Sequence, residues 1–473
     1  MNTLTTATAR TRRIADLPHP KGLPLIGNAH QLKPDRLHLI LERWAQELGV
    51  PYRLQICGRP VVVTTDAELA QRMARERPHR YRRMRQLESV LEEIGCNGLF
   101  SAEGVAWEPN RRLVMQALSM PHIKAFFPTL NAITGRLRVR LARAASEGRT
   151  LDMTQELKRY TVDVTSALAF GEDPHTLEQE RGVIQEHLAL IMPMLMRRIN
   201  APFPYWRYVR LPQDRQVDRA LVEIHRYVRR MMQRAREHMR DDPRETPRHL
   251  LEAMLTMCDA PGSSVTEDQV AANVLTLLLA GEDTTANALS WALFYVATDR
   301  ALQQRLARHA RRVLGESAVC PDFEWLKHFD LFEAVCTEAG RLRPVASISS
   351  FEPLEDVQLD NLFVPAGTTI FFVHRPAMLD PRHFANPERF DPDRWLHPRD
   401  AGGPHEPRAC MLFGAGPRVC PGRYLAGVEM RLVLSMLLAG FEVELTVDPA
   451  SIEEVTAFAM VPNVMPLRLR PRA

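Results

Sequence analysis

"FGAGPRVCPG", residues 413–422, sets one cysteine, Cys420, among three glycines and two prolines, just ahead of a strongly helical segment. Glycine and proline at this density dictate a tight loop. Such a loop, formed by Gly414, Gly416, Pro417, Pro421 and Gly422, brings backbone amides close around the Cys420 sulfur. Cys420 also stands at the N-terminus of the helix that follows, where free N–H groups and the helix dipole favour an anion. Both effects favour a thiolate and moderate its electron donation. A disulfide would need a partner and a zinc site would need further ligands nearby. The seven cysteines, at 57, 96, 258, 320, 336, 410 and 420, offer neither a CxxC pair nor a regular spacing. That usage fits a reducing compartment with mostly structural thiols.

The rest of the chain bounds the setting of that loop. It has 473 residues, 45% hydrophobic and 25% charged, with a net charge of only +4, so bulk charge argues against a dedicated nucleic-acid binder. No run of eighteen or more apolar residues occurs, and "VLTLLLAG" at 274–281 is too short for a membrane span, so a soluble protein is expected. The Arg- and Thr-rich start, "MNTLTTATARTRRIA", reads as a disordered tail over residues 1–17, with a mitochondrial presequence as the alternative. "PHPKGLPLIGN" (18–28) is an irregular entry, and "YRLQICGRPVVVTTD" (52–66) reads as two strands turning near Gly58. From about 66 to 345 the apolar spacing is helical, with breaks at 78–106, 202–213 and 241–248. The β-branched run at 357–373 predicts a second small sheet, and a final helix over 421–439 is expected to end at Gly440. No repeat or long linker divides the chain. The expectation is one large domain, 18–473, mainly α with minor β.

Three further segments carry chemistry. Thr266 and Gln269 form a capping box that starts a long helix, and its middle holds "AGEDTT", Ala280 to Thr285. Gly281 costs about 1 kcal/mol against alanine in a helix, and paired threonines compete for backbone carbonyls. Such a concession in a buried helix suggests that something approaches closely there, with a tolerated kink as the plain alternative. In "DLFEAVCTEAGRLRP" (330–344), Glu338 and Arg341 share a helix face, although the same spacing recurs on solvated faces at Glu156/Arg159 and Glu223/Arg226. The setting differs here: a proline break follows, and "NPERFDPDRW" (386–395) offers Arg389 to complete a buried triad. A dry, amide-bonded thiolate such as that of Cys420 is what a haem iron needs for O–O cleavage.

Taken together, these motifs resemble the cytochrome P-450 superfamily of haem-thiolate monooxygenases. Phe413, Gly416, Arg418, Cys420 and Gly422 match its cysteine loop, "AGEDTT" its oxygen-activating helix, Glu338 and Arg341 its Glu-x-x-Arg pair, and Arg389 the arginine joining that pair. Trp107 and Arg111 in "WEPNR" match its haem-propionate helix, and the resemblance covers residues 18–470. It implies haem b between the long central helix and the cysteine loop, with Cys420 as axial ligand to the iron and Phe413 beside it. It implies that Arg418, Trp107 and Arg111 hold the propionates, that Asp283 and Thr284 relay protons, and that Ala280 and Gly281 leave space for oxygen.

One departure stands out. Where many members carry a propionate-binding arginine ahead of the "LED" segment, this chain has Phe351, and His374 is a candidate replacement. The pocket is expected from 78–106, "IMPMLMRR" (191–198), Leu277 to Ala280, "VASIS" (345–349) and "FAMV" (458–461), which implies a medium-sized, mostly apolar substrate oxidised with O2. Only about fifty residues follow Cys420, so no fused reductase is expected. Separate ferredoxin or flavodoxin and reductase partners would dock on Arg111, Arg112, Arg418 and Arg423. "PFPYWRYVRLP" (202–212) reads as a solvated loop, with a membrane-surface contact as the alternative. A cytoplasmic monomer is expected, with the mitochondrial matrix side as the alternative location. A peroxide-using enzyme and a non-catalytic haem ligand sensor are the rival readings.

Overall fold

The computed structural model describes residues 11–179, 183–201, 203–244, 247–400 and 402–472. At its centre lies the helix Glu267–Thr298, opened by the expected capping box: Gln269 N donates to Thr266 Oγ1 at 3.2 Å and Thr266 N to Gln269 Oε1 at 2.9 Å. The helix runs unbroken through "AGEDTT". Its hydroxyl residues fold back onto the carbonyls four positions earlier, Thr276 to Ala272 at 2.7 Å and Thr284 to Ala280 at 2.8 Å, which satisfies the competing donors without a break.

Gly281 has a neighbour to explain it. A β-carbon there would lie 2.7 Å from Thr165 Oγ1 of the helix Met153–Phe170. The glycine lets these two helices approach closely, so the space it leaves is taken by Thr165, which corrects its expected role as room for oxygen. The neighbouring helix is itself almost wholly buried and starts on Asp152, whose carboxylate accepts from Thr154 N at 3.1 Å.

The strands form small sheets beside the helices. The largest has the order Tyr52–Ile56, Arg59–Thr64, Thr369–Val373, Ile348–Pro353, Tyr81–Arg82, with only the second and third of these parallel. The turn in the first hairpin uses positive φ at Cys57 and Gly58. The region 357–373 contributes a hairpin, Val357–Leu359 with Leu362–Val364, before its sheet strand. Three details differ from expectation. Arg12 and Arg13 pair with Leu362 and Phe363 while Ile14 and Leu17 are buried, so the part of the supposed tail from 11 to 17 is docked. Residues 1–10 and Pro202 lie outside the described residues. The segment 78–106 contains a helix, Arg85–Glu93, and the last helix, Arg423–Gly440, includes Gly440 and is capped by extended Phe441.

The helix Asp330–Leu342 anchors the cysteine loop to this frame. Glu338 and Arg341 are fully buried, with Arg341 Nε 2.8 Å from Glu338 Oε2. The third partner is Arg394, whose Nε lies 3.0 Å from Glu338 Oε1. Arg389 is exposed and gives only its carbonyl, to Arg341 Nη2 at 3.2 Å. The expected triad therefore exists, with its second arginine corrected from 389 to 394. Trp395 Nε1 and Asp391 N complete the coordination of Glu338 at 2.8 and 2.9 Å. Burial alone would raise the Glu338 carboxyl, but hydrogen bonding and charge from Arg341, with Asp391 N and Arg394, hold it below the usual range.

Candidate functional site

The cysteine loop closes on itself through Cys420 N, which donates to Phe413 O at 2.8 Å, and Val419 N, which donates to Gly416 O at 3.1 Å. Gly414 and Gly416 have φ of +75° and +68°, a region costly for side-chain-bearing residues. At Gly416 a β-carbon would also lie 2.3 Å from Ala74 O, so the loop packs backbone to backbone on the helix Ala67–Arg75. On its other side Leu412 fills the gap over Gly340 of the acid helix, where a β-carbon would come within 2.7 Å of Leu412 Cδ1. Phe413 is exposed at the start of the loop. Arg111 Nη1 donates to Val419 O at 2.8 Å, fastening the helix Trp107–Ala117 to the residue before the cysteine.

The electrostatics of the sulfur combine opposing effects. Burial pushes the Cys420 thiol up, while the backbone amides of Gly422 and Arg423 and the charges of Arg111 and Arg423 pull it down. Burial is the largest of these effects, so in the protein alone the thiol is held above its ordinary range. A cation on the sulfur is what tips the balance, since coordinating thiols lose their proton to the metal.

A second cluster lies next to the loop. Glu103 accepts from Arg418 Nη2 at 2.6 Å, from Arg77 Nη2 at 3.3 Å and from the amide of Arg83 at 3.0 Å. Arg418 lies over the Trp107 ring at 4.8 Å, Arg77 over Phe351 at 5.7 Å and Arg83 over Phe100 at 4.1 Å. The cluster is short of acceptors: Arg77 Nε, Arg83 Nε, and Arg418 Nε and Nη1 are buried with no hydrogen-bond partner among the described residues. Burial lowers all three guanidiniums from their ordinary range, Arg418 to about 10, and neighbouring arginines lower Arg83 and Arg418 further. Arg77, Arg83 and Glu103 carry no motif, and sequence reading missed them. The run "RERPHRYRRMR" shows only as positive charge.

On the central helix, Ala280 and Thr284 are exposed one turn apart, whereas Glu282, Asp283 and Thr285 are buried. Asp283 turns toward the neighbouring helix, where its carboxylate lies 2.7 Å from Lys158 Nζ. Glu282 gives its carbonyl to Thr161 Oγ1 at 2.7 Å, and burial, with the charge of Asp283, pushes its carboxyl up to about 8. Asp283 and Thr284 therefore share a turn but face different surroundings, and Lys158 is a partner the sequence did not signal.

Two other candidates are relocated. His374 Nε2 lies 2.7 Å from Ser349 Oγ and the ring packs on Phe372 at 4.6 Å, while burial lowers its pKa to about 4. It is a neutral pin between sheet and helix, which removes it as the cationic replacement for the arginine absent at 351. Of the four arginines expected on a docking face, Arg112 and Arg423 are exposed; Arg418 is buried in the cluster and Arg111 is tied to the loop. Met192 and Met194 of "IMPMLMRR" are packed in a core cluster with Val90 and Ile224, the same cluster that holds Leu278 and Leu279 of the central helix. Phe100 meets Phe458 edge to face at 5.6 Å, joining two of the predicted pocket segments. No helix among the described residues is long and apolar enough to cross a membrane.

The family model described as cytochrome P450 matches residues 17–467. The chain is 27% identical to sheep "Cytochrome P450 11B1, mitochondrial", over 92% of this chain and 86% of that protein. It is 28% identical to human "25-hydroxyvitamin D-1 alpha hydroxylase, mitochondrial", over 96% and 91%. A third relative, human "Sterol 26-hydroxylase, mitochondrial", is 26% identical over 77% and 71%.

Proposed function

The chain belongs to the cytochrome P450 family and is a haem monooxygenase, and we propose that Cys420 is its axial ligand and that residues 18–473 act as one catalytic domain on a medium-sized, mostly apolar substrate. Haem b, held in this family by a cysteine thiolate, supplies the oxygen-activating iron. The residues present suit that group: a cysteine in a closed loop with two amides directed at its sulfur, and beside it a cluster of buried guanidiniums with unused donors. The cysteine loop is the observation that carries the reading.

Each remaining residue has a share. Gly422 and Arg423 amides soften the thiolate, and Arg111 fixes the loop through Val419. Arg418, stacked on Trp107, holds a propionate. Thr284 presents its hydroxyl on the exposed face with Ala280, and Asp283, paired with Lys158, is the second member of the proton relay. The relatives named for vitamin D and sterol hydroxylation support an alicyclic substrate of that size. Electrons come from a separate ferredoxin and reductase, as the mitochondrial names of those relatives support, and they enter over the exposed Arg112 and Arg423.

The test pairs spectroscopy with isotope labelling. The haem-loaded protein should give the carbon monoxide spectrum of a thiolate-ligated haem, and Cys420→Ser should lose it. With ferredoxin, reductase and a sterol panel under labelled dioxygen, one labelled atom should enter the product. Unchanged product formation with peroxide alone and no electron donor would overturn the monooxygenase cycle for this chain in favour of peroxide chemistry. Thr284→Ala should lower product formed per electron by about 10-fold or more.

A further inference from the structure

The arginine cluster has two more positive charges than its own carboxylate can balance. Arg77, Arg83 and Arg418 gather at Glu103, the one acid that bonds to them, while the neighbouring Arg82 is matched by Glu88. Buried cations without counter-charges are expensive, and here all three keep unused, buried N–H groups. The pattern calls for a ligand with two carboxylates close together. Resting on the haem reading above, haem b brings two propionates.

The geometry points to Arg77 as a propionate-binding residue, held in position by Glu103 and by the face of Phe351. Arg77 is 5% exposed and follows directly on the helix that carries the cysteine loop's backbone contact at Ala74. Its guanidinium lies over the Phe351 ring, which also receives Tyr81 edge-on at 6.4 Å, so an aromatic floor replaces a charged side chain there and the charge stands above it. Glu103 engages Arg77 through one oxygen and Arg418 through the other, which spaces the two cations on either side of a single carboxylate. Trp107 and Phe100, under Arg418 and Arg83, continue the same aromatic floor. Glu103 is thus a positioning residue: it leaves each guanidinium with free donors and keeps the three cations together when no other anion is present.

The experiment compares haem with haem dimethyl ester, whose propionates carry no charge, in the full chain and in Arg77→Met, by the rate at which each porphyrin is lost to an excess of a haem scavenger. Arg77→Met should speed haem loss about 10–100-fold, Arg77→Lys less. Esterification should speed loss in the parent protein and cost much less in Arg77→Met, because the partner charge is already gone. Phe351→Arg added to Arg77→Met should slow haem loss again. Equal ester penalties with and without Arg77 would overturn the assignment, as would a loss rate in Arg77→Met within about twofold of the parent. The parent's carbon monoxide spectrum separates this from the haem reading: if it shows thiolate ligation, the cofactor stands whichever way Arg77 behaves.

Discussion

Two buried arginine–glutamate clusters sit on either side of the cysteine loop, and they are finished to different degrees. Around Glu338 every donor has a home. Arg341 reaches Glu338 and the carbonyls of Met378 and Arg389, and Arg394 reaches Glu338 and the carbonyls of Ala385, Asn386 and Arg389. The surplus positive charge is spread over backbone carbonyls. Around Glu103 the surplus is larger and four guanidinium nitrogens have no acceptor among the described residues. The first cluster is complete without a ligand and serves the fold. The second is complete only with added anions and serves binding. Burial and charge alone do not tell these cases apart, whereas counting donors against acceptors does.

The comparison can be broken most forcefully at the finished cluster. Glu338→Ala strands two buried guanidiniums and is expected to cost about 3–5 kcal/mol, read from denaturant unfolding, or to yield no folded protein. A stability loss under about 1 kcal/mol would remove the distinction. A lone buried acid sharpens it next. Glu429, on the helix after the cysteine, has one oxygen without a partner, and burial raises its pKa to about 8 from 4.5. Between those values the folded chain binds a proton that the unfolded chain lacks, so stability falls as pH rises through that window. Glu429→Gln should flatten that fall and stabilise the protein above about pH 8 by on the order of a few kcal/mol. Unfolding curves at pH 6 and pH 9 in the two proteins check it.

Arg394→Met is expected to lose about 1.5–3 kcal/mol, since it removes a hydrogen bond to a charged, buried carboxylate. Arg389→Met should stay within about 0.5 kcal/mol, because only the backbone of that residue is used. Equal effects at the two positions would return the triad to Arg389. The smallest effect belongs to the unfinished cluster. In the haem-free protein Arg77→Met should leave stability unchanged or slightly raised, since it removes an uncompensated cation, although the same change speeds haem loss.

What the sequence disclosed follows how local the chemistry is. The cysteine loop was legible because its glycines and prolines act on their own backbone, and Gly414 and Gly416 do adopt the positive φ that the loop needs. The capping box was legible for the same reason. The acid helix was legible as a motif, but "NPERFDPDRW" offers two arginines in similar Pro-x-Arg settings, and only the folded chain turns Arg394 inward. The Glu103 cluster and the Lys158–Asp283 pair join segments that are far apart along the chain. No periodicity marks such meetings, and an arginine-rich run reads first as a solvated face. Gly281 was noticed for its cost, yet its cause, Thr165, belongs to another helix.

That last contact ties two positions into one. Thr165 fills the notch that residue 281 leaves, and Thr161 and Lys158, one and two turns earlier on the same helix, hold Glu282 and Asp283. A mutant library that varied 281 alone would mostly sample collisions, and one that varied 165 alone would sample a void with each smaller residue and a collision with each larger one. Varied as a pair at constant summed volume, they would preserve the separation of the two helices, and with it the reach of Lys158 to Asp283.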